Sequence, residues 1–273
     1  MFNFITDFFS GIFTKLSAFF TSILVFLGIM PAPVVVHPPV MTPVYQIAAV
    51  EDFKTVQGSC TDGKYIYVSI ISSTTDQDGR RLGKIIKIDS EKFEAVLTSE
   101  SKYVDHANDM TCVDKNLYIV NNAPNYTTYT VMDCAKLSIK GTGTKEFNMY
   151  GIEYVPLTSR YYFGISASYD IMVQDTINNT QTKISLQNNG YTRQGIASDG
   201  EYLYCLYSDP NIIYKYDFDG QYLGKLPLSV KENEAESLFF INGQMYVVYN
   251  IPGVPNAAPC CGTIYKVEDI QFS

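Results

Sequence analysis

A unit of about 43 residues recurs along the chain from residue 56 onward, and it predicts an all-β fold, a five-bladed β-propeller. Two further observations point the same way. Each unit holds short alternating stretches rich in Tyr with a turn before them, and in three of the five an Asp-Gly or Asn-Gly pair supplies the positive φ of a tight hairpin. The composition is that of a packed chain, 46% hydrophobic and 18% charged, which excludes a disordered one. The aromatic content, 22 Tyr and 16 Phe with no Trp, suits blade packing, because amphipathic rings fill tapered gaps between sheets.

The elements follow in order. Residues 1–30 are Phe-rich, and no charge lies between Leu16 and Met30. Together with Ser10–Thr14, and interrupted only by Lys15, the stretch approaches the roughly 20 apolar residues of a membrane span. An N-terminal hydrophobic helix is expected there. It reads as an uncleaved membrane or signal anchor, a cleaved secretory signal, or an amphipathic helix lying on a membrane or a partner. Each reading puts the remaining chain at or beyond a membrane: membrane-anchored, extracytoplasmic or secreted. Pro31, Pro33, Pro38, Pro39 and Pro43 then mark residues 31–43 as a semi-rigid linker. The propeller is expected over 44–273.

Within it, Tyr45–Val50 has strand character. The repeat follows, with its clearest positions at Gln57-Gly58, Asn108-Asp109, Tyr150-Gly151, Gln194-Gly195 and Glu236-Ser237. Each pair leads through a turn into a Tyr-rich strand and then into a strand of the Ile-x-Lys-x-Asp kind, as in Ile85–Asp89 and Ile213–Asp217. A fourth strand usually comes next. After the last copy, Thr263–Glu268, too little chain remains for one. Tyr45–Val50 is therefore expected to supply the outer strand of the fifth blade and close the ring, removing free edges.

Fivefold pseudo-symmetry would gather equivalent positions around the channel. The expected ring is Gln57; His106, Asn108 and Asp109; Tyr150 and Glu153; Arg193 and Gln194; Glu234 and Glu236. Gln57, His106, Asn108, Tyr150, Arg193, Gln194 and Glu234 are the candidate ligand-binding residues. Asn108, Asp109, Glu153 and Glu236 offer the amide and carboxylate oxygens that Ca²⁺ prefers. Glu153, Glu236 and His106 are the candidate acid–base groups. Against these stands a simpler reading, in which Asn108 and Asp109 cap a turn through local backbone hydrogen bonds. Gly58, Gly151 and Gly195 fit close backbone approach at a narrow channel.

Two histidines, His37 and His106, exclude a His-rich metal centre. A net charge of −8 and a pI near 4.8 argue against a nucleic-acid surface. The six cysteines form no Cys-x-x-Cys pair, which argues against a zinc knuckle. They read as buried free thiols, with adjacent Cys260-Cys261 open to a vicinal disulfide or a partner-facing role.

The Asp-Gly-x-Tyr-x-Tyr stretches at 62–67 and 199–204, with Ile-Tyr-Lys-x-Asp at 213–217, resemble propellers of the broad NHL/YncE/SMP-30 type. His106-Ala107-Asn108-Asp109 is similar to the Asn-Asp calcium loop of SMP-30 lactonases and paraoxonases. Gln57-Gly58 and Glu234-Ala235-Glu236 resemble elements of the five-bladed glutaminyl cyclases of plant and bacterial type, whose Glu-Gly loops and several Trp have no counterpart here. The residues point to a membrane-tethered or secreted propeller that binds a small ligand or protein partner on its channel face. The resemblances imply the alternative, a Ca-dependent lactonase-like hydrolase or a glutaminyl-cyclase-like enzyme at the channel mouth. A surface or assembly protein is a third reading.

Overall fold

The computed structural model describes residues 37–166, 168–250 and 260–273. The expected helix over 1–30 lies outside the described residues. Among those residues there is no helix long and apolar enough to cross a membrane.

Five antiparallel sheets account for the fold. Blade one is β2 (Phe53–Thr61), β3 (Tyr65–Ser72), β4 (Leu82–Asp89) and β5 (Glu94–Thr98), with the short β6 (Lys102–Tyr103) added beside β4. Blade two is β7 (Asp109–Val113), β8 (Asn116–Val120), β9 (Thr128–Asp133) and β10 (Ile139–Thr144). Blade three is β11 (Met149–Val155), β12 (Arg160–Ile165), β13 (Asp170–Asp175) and β14 (Thr180–Ser185). Blade four is β15 (Thr192–Ser198), β16 (Leu203–Ser208), β17 (Ile212–Tyr216) and β18 (Tyr222–Pro227). Blade five is β19 (Glu234–Ile241), β20 (Gln244–Asn250), β21 (Cys260–Glu268) and, from the other end of the chain, β1 (Val40–Ala48).

The ring thus closes as the repeat predicts, with β1 antiparallel to β21. The closing strand starts at Val40, inside the stretch expected to be linker. Pro43 is tolerated there because β1 is the outermost strand and the register shifts at that point, so no ladder N–H is missed. Ser273 adds a second clasp: it exchanges backbone hydrogen bonds of 3.0 and 3.1 Å with Lys225 on the outer strand of blade four.

The motifs have local causes. In the Asp-Gly turns, Asp62 Oδ1 accepts the N–H groups of Lys64 and Tyr65, and Asp199 Oδ1 those of Glu201 and Tyr202. The second carboxylate oxygen then takes the hydroxyl of the following strand's tyrosine, Tyr67 at 2.8 Å and Tyr204 at 2.7 Å. Gly63 and Gly200 supply the left-handed residue, at φ of 88° and 95°. The terminal Asp of Ile-x-Lys-x-Asp closes the next hairpin. Asp89, Asp133 and Asp175 each accept two backbone N–H groups, which hold their carboxyls below the usual range. The fifth copy ends in Glu268, where no outer hairpin follows.

The core is not one mass but five wedges, one at each blade–blade boundary. Between blades three and four, Tyr162, Tyr207 and Tyr216 are fully buried beside Ile171 and Leu203. Between blades one and five, Val56, Ile66 and Val68 meet Phe239, Tyr246 and Ile264. Tyr thus does the packing that the composition suggested.

At the axis the inner strands β2, β7, β11, β15 and β19 touch in a closed ring, which leaves no room for side chains at one level. A Cβ on Gly58 would stand 2.7 Å from Asp109 Cα and 2.8 Å from the Ala107 carbonyl oxygen, both backbone atoms. Gly58→Ala is therefore expected to destabilise the propeller by about 3 kcal/mol, because blades one and two must move apart. A chemical-denaturation midpoint unchanged from wild type would refute this.

Candidate functional site

The inner strands run side by side, so the repeat stacks in layers along the channel. Gln57, Asn108, Tyr150, Gln194 and Glu236 hold equivalent positions in or next to the entering half of these strands and ring the upper mouth. The next layer is Gly58, Asp109, Gly151, Gly195 and Ser237. Two layers further lie Cys60, Thr111, Glu153, Ala197 and Phe239, at the lower mouth. At about 3.3 Å per residue, Glu153 is about 10 Å along the axis from the layer of Glu236.

Asp109 closes the channel between the mouths. It is buried, and its Oδ2 accepts the backbone N–H groups of Ile152 and Ile196, each at 3.0 Å. Its Oδ1 accepts the N–H of Met110, also at 3.0 Å. One carboxylate thereby joins blades two, three and four. Gly151 and Gly195 let it approach, since a Cβ on Gly151 would meet Oδ2 at 3.0 Å. Burial pushes the carboxyl well up, and the three N–H groups pull against that.

Asn108 is committed in the same way. Its amide group donates to the carbonyls of Tyr150 and Gln194, both at 2.7 Å, while its Oδ1 accepts from Asn122 at 3.0 Å. The expected calcium set therefore does not assemble. Asp109 and Asn108 spend their oxygens on N–H donors, and Glu153 opens on the opposite mouth from Glu236. Among the described residues no three His, Cys, Asp or Glu side chains gather at metal distance.

The upper mouth keeps a different set. Glu236 is buried, and burial followed by the neighbouring Glu234 pushes its carboxyl well up. Gln194 donates to Glu234 at 2.6 Å and to Ser208 at 3.0 Å. Gln57 is 4% exposed, and its Oε1 has no hydrogen-bond donor. Asn122 Oδ1 and Asn250 Oδ1 are buried and lack donors as well. Beside this ring, Arg193 donates to the carbonyls of Ser166 and Ser168 at 2.6 and 2.9 Å, and its guanidinium lies 4.8 Å from the Tyr169 ring centroid. Arg193, Tyr150 and Asn122 line a cavity of about 340 Å³ between blades three and four. Glu234 and Ser208 border another, of about 640 Å³, between the loops of blades four and five.

At the lower mouth, Glu153 lines a cavity of about 170 Å³ with Thr111, Cys112 and Ser198. Its carboxylate accepts from Thr111 Oγ1 at 3.2 Å and from the Ser198 N–H at 3.3 Å. Burial raises its carboxyl to about 8 against those hydrogen bonds.

His106 stands outside the ring. Its backbone N–H donates to the Asn121 carbonyl, and burial together with Arg81 lowers its imidazole to about 4, so it is neutral at pH 7.

Two residues of the upper mouth went unnoticed in the sequence, Asn122 and Asn250. Asn250 ends a second strand, as Ser208 does, and Asn122 lies two residues past the end of another. Their in-phase polar character after a Tyr-rich run was the available signal.

No family model matches the chain, and no curated protein matches it. Among solved structures, the glutaminyl cyclase of Myxococcus xanthus is similar, with a TM-score of 0.59 at 11% identity, over 85% of this chain and 100% of that one. A luciferin-regenerating enzyme follows at a TM-score of 0.49 and 12% identity, over 86% of this chain and 96% of that one. At such identity the first likeness establishes the five-bladed propeller as the shared fold, while the chemistry rests on the residues of this chain's own mouths.

Proposed function

We propose that the protein is a binding propeller whose upper channel mouth takes a ligand, or the exposed end of a protein partner, rich in hydrogen-bond donors. A primary amine or ammonium fits best. The carrying observation is the surplus of buried acceptors: Gln57 Oε1, Asn122 Oδ1 and Asn250 Oδ1 have no donor. Buried acceptors left unpaired are costly, so a donor supplied from outside is bound with the gain otherwise missing. Glu234 and the net charge of −8 add attraction for a cation. Tyr150 and Arg193 form the wall. The uncharged run Leu16–Met30 supports a tether that holds the propeller at the outer side of a membrane, and the acidic surface supports no nucleic-acid partner.

Calorimetric titration with the dipeptide Gln-Gly tests the site. Gln57→Met is expected to weaken binding about tenfold, which is about 1.4 kcal/mol. The same change should stabilise the free chain by about 1 kcal/mol, since it removes an acceptor that nothing satisfies. Binding equal to wild type in Gln57→Met and Glu236→Gln alike would reject the upper mouth.

Glu236 supports a second reading. A buried carboxyl that burial and Glu234 push upward is placed to exchange protons with a bound amine or amide, and the fold is similar to that of a glutaminyl cyclase. The corresponding reaction is attack of the dipeptide's free amine on its own side-chain amide carbon, with ammonia leaving. Ammonia released from Gln-Gly and abolished by Glu236→Gln would favour catalysis. Intact dipeptide after saturating incubation favours binding alone.

A further inference from the structure

We infer that Cys112 and Cys134 are a paired dithiol that closes into a disulfide at the lower mouth of the channel. This is independent of the upper-mouth reading. Cys112 lies on β7, partly exposed, and lines the lower cavity. Cys134 follows β9 directly and is buried; its N–H donates to the Lys115 carbonyl at 3.0 Å, which folds it over the β7–β8 hairpin. The two sulfurs stand 3.3 Å apart. A disulfide requires about 2.05 Å, so closure asks for a small side-chain rotation and no movement of the blade.

The surroundings single out this pair. Lys87 is buried, and its ammonium donates to the Cys134 carbonyl at 3.0 Å. Among the described residues it joins none of the ion pairs. A buried cation without a carboxylate favours a nearby thiolate. The Cys112 thiol, the Tyr67 hydroxyl and Lys87 hold the Cys134 thiol below its ordinary range. The other cysteines are placed differently. Burial pushes the thiols of Cys60 and Cys205 up, as the hydrogen bond to Cys134 and burial do for Cys112, but no hydrogen bond joins Cys60 or Cys205 to a second sulfur. Cys260 and Cys261 turn their thiols to the carbonyls of Gly262 and Ile47.

The step is thiol–disulfide exchange with a small disulfide such as oxidised glutathione. Cys112, the accessible sulfur, forms a mixed disulfide and releases one glutathione thiol. The Cys134 thiolate then attacks the Cys112 sulfur and expels the second. The two protein sulfurs are oxidised by two electrons, the glutathione disulfide is reduced, and the two thiol protons leave on the two glutathiones. The bond encloses β8 and β9 whole, and ties the strand that carries Asp109 to the end of the third strand of its blade.

The test equilibrates the full-length chain in glutathione buffers from fully reduced to fully oxidised, traps free thiols with N-ethylmaleimide after acid quench, and maps the peptides. The expected result is a Cys112–Cys134 cross-linked peptide in the oxidised limit, with Cys60 and Cys205 alkylated. The Tm should rise by about 5 °C in that limit, a rise lost in Cys112→Ser and in Cys134→Ser. Mapping of the unmutated chain stands even if a variant fails to fold. Both thiols alkylated in the most oxidising buffer, or a link from either of them to Cys60, would overturn the assignment.

Discussion

Asp109→Ala is expected to lower the unfolding free energy by about 5 kcal/mol, a large part of the roughly 5–15 kcal/mol that holds such a domain folded. The carboxylate accepts N–H groups from Met110, Ile152 and Ile196, on three different blades. Removing it leaves three buried donors without acceptors, at about 1–3 kcal/mol each. Relief of the buried charge offsets part of this, since burial already disfavours the ionised form. Asp109→Asn separates the terms. Its carbonyl oxygen can keep the N–H groups of Ile152 and Ile196, and its amide then faces that of Met110, so about half the loss is expected. Urea unfolding followed by Tyr fluorescence reads both. A loss below about 1 kcal/mol in the Ala variant would mean that the axis carboxylate does not hold the blades together.

Glu153→Gln should flatten the pH dependence of stability. The folded-state value of Glu153 is about 8 against an ordinary 4.5. Below about 4.5 the carboxyl is protonated whether the chain is folded or not, and the site carries no penalty. As pH rises the unfolded chain releases its proton first, so stability falls until about pH 8 and is level above it. The full difference is on the order of 5 kcal/mol, and solvent at the partly open lower mouth reduces it to about 2 kcal/mol. Asp109 and Glu236 are raised as well and slope the same way. The share of Glu153 is therefore the difference between the wild-type and variant curves. Parallel curves from pH 5 to 8 would show that Glu153 is ionised in the folded chain.

Much of the fold was legible in the sequence because its signals are local. Asp62 and Asp199 accept from residues two to five positions on, and Asp89, Asp133, Asp175 and Asp217 close the hairpin after the third strand in four blades, so both recur at fixed offsets. The outer strand of the fifth blade was legible in the strand character of Tyr45–Val50 ahead of the first copy of the repeat. The start of that strand was less legible, because Pro43 reads as linker unless its neighbour on one side is known to be solvent.

The candidate site was legible as a set of positions and not as a set of roles. Gln57, Asn108, Tyr150, Gln194 and Glu236 do share a layer. Which oxygens are free and which are consumed depends on other blades. Asn108 and Asp109 look like cation ligands in sequence, yet the Asn108 amide donates to the Tyr150 carbonyl and the Asp109 carboxylate accepts the Ile152 N–H, each more than 40 residues away. Cys112 and Cys134 are 22 residues apart and meet only because two successive hairpins, β7–β8 and β8–β9, bring the chain back.

The repeat of about 43 residues by itself determined the number of blades, their order and the layer each polar residue occupies, because hairpin geometry and period act over short stretches of chain. Only the tertiary structure decided that Asp109 plugs the axis and that acceptors are left over at the upper mouth. Those outcomes turn on which donors from neighbouring blades come within about 3 Å of each oxygen.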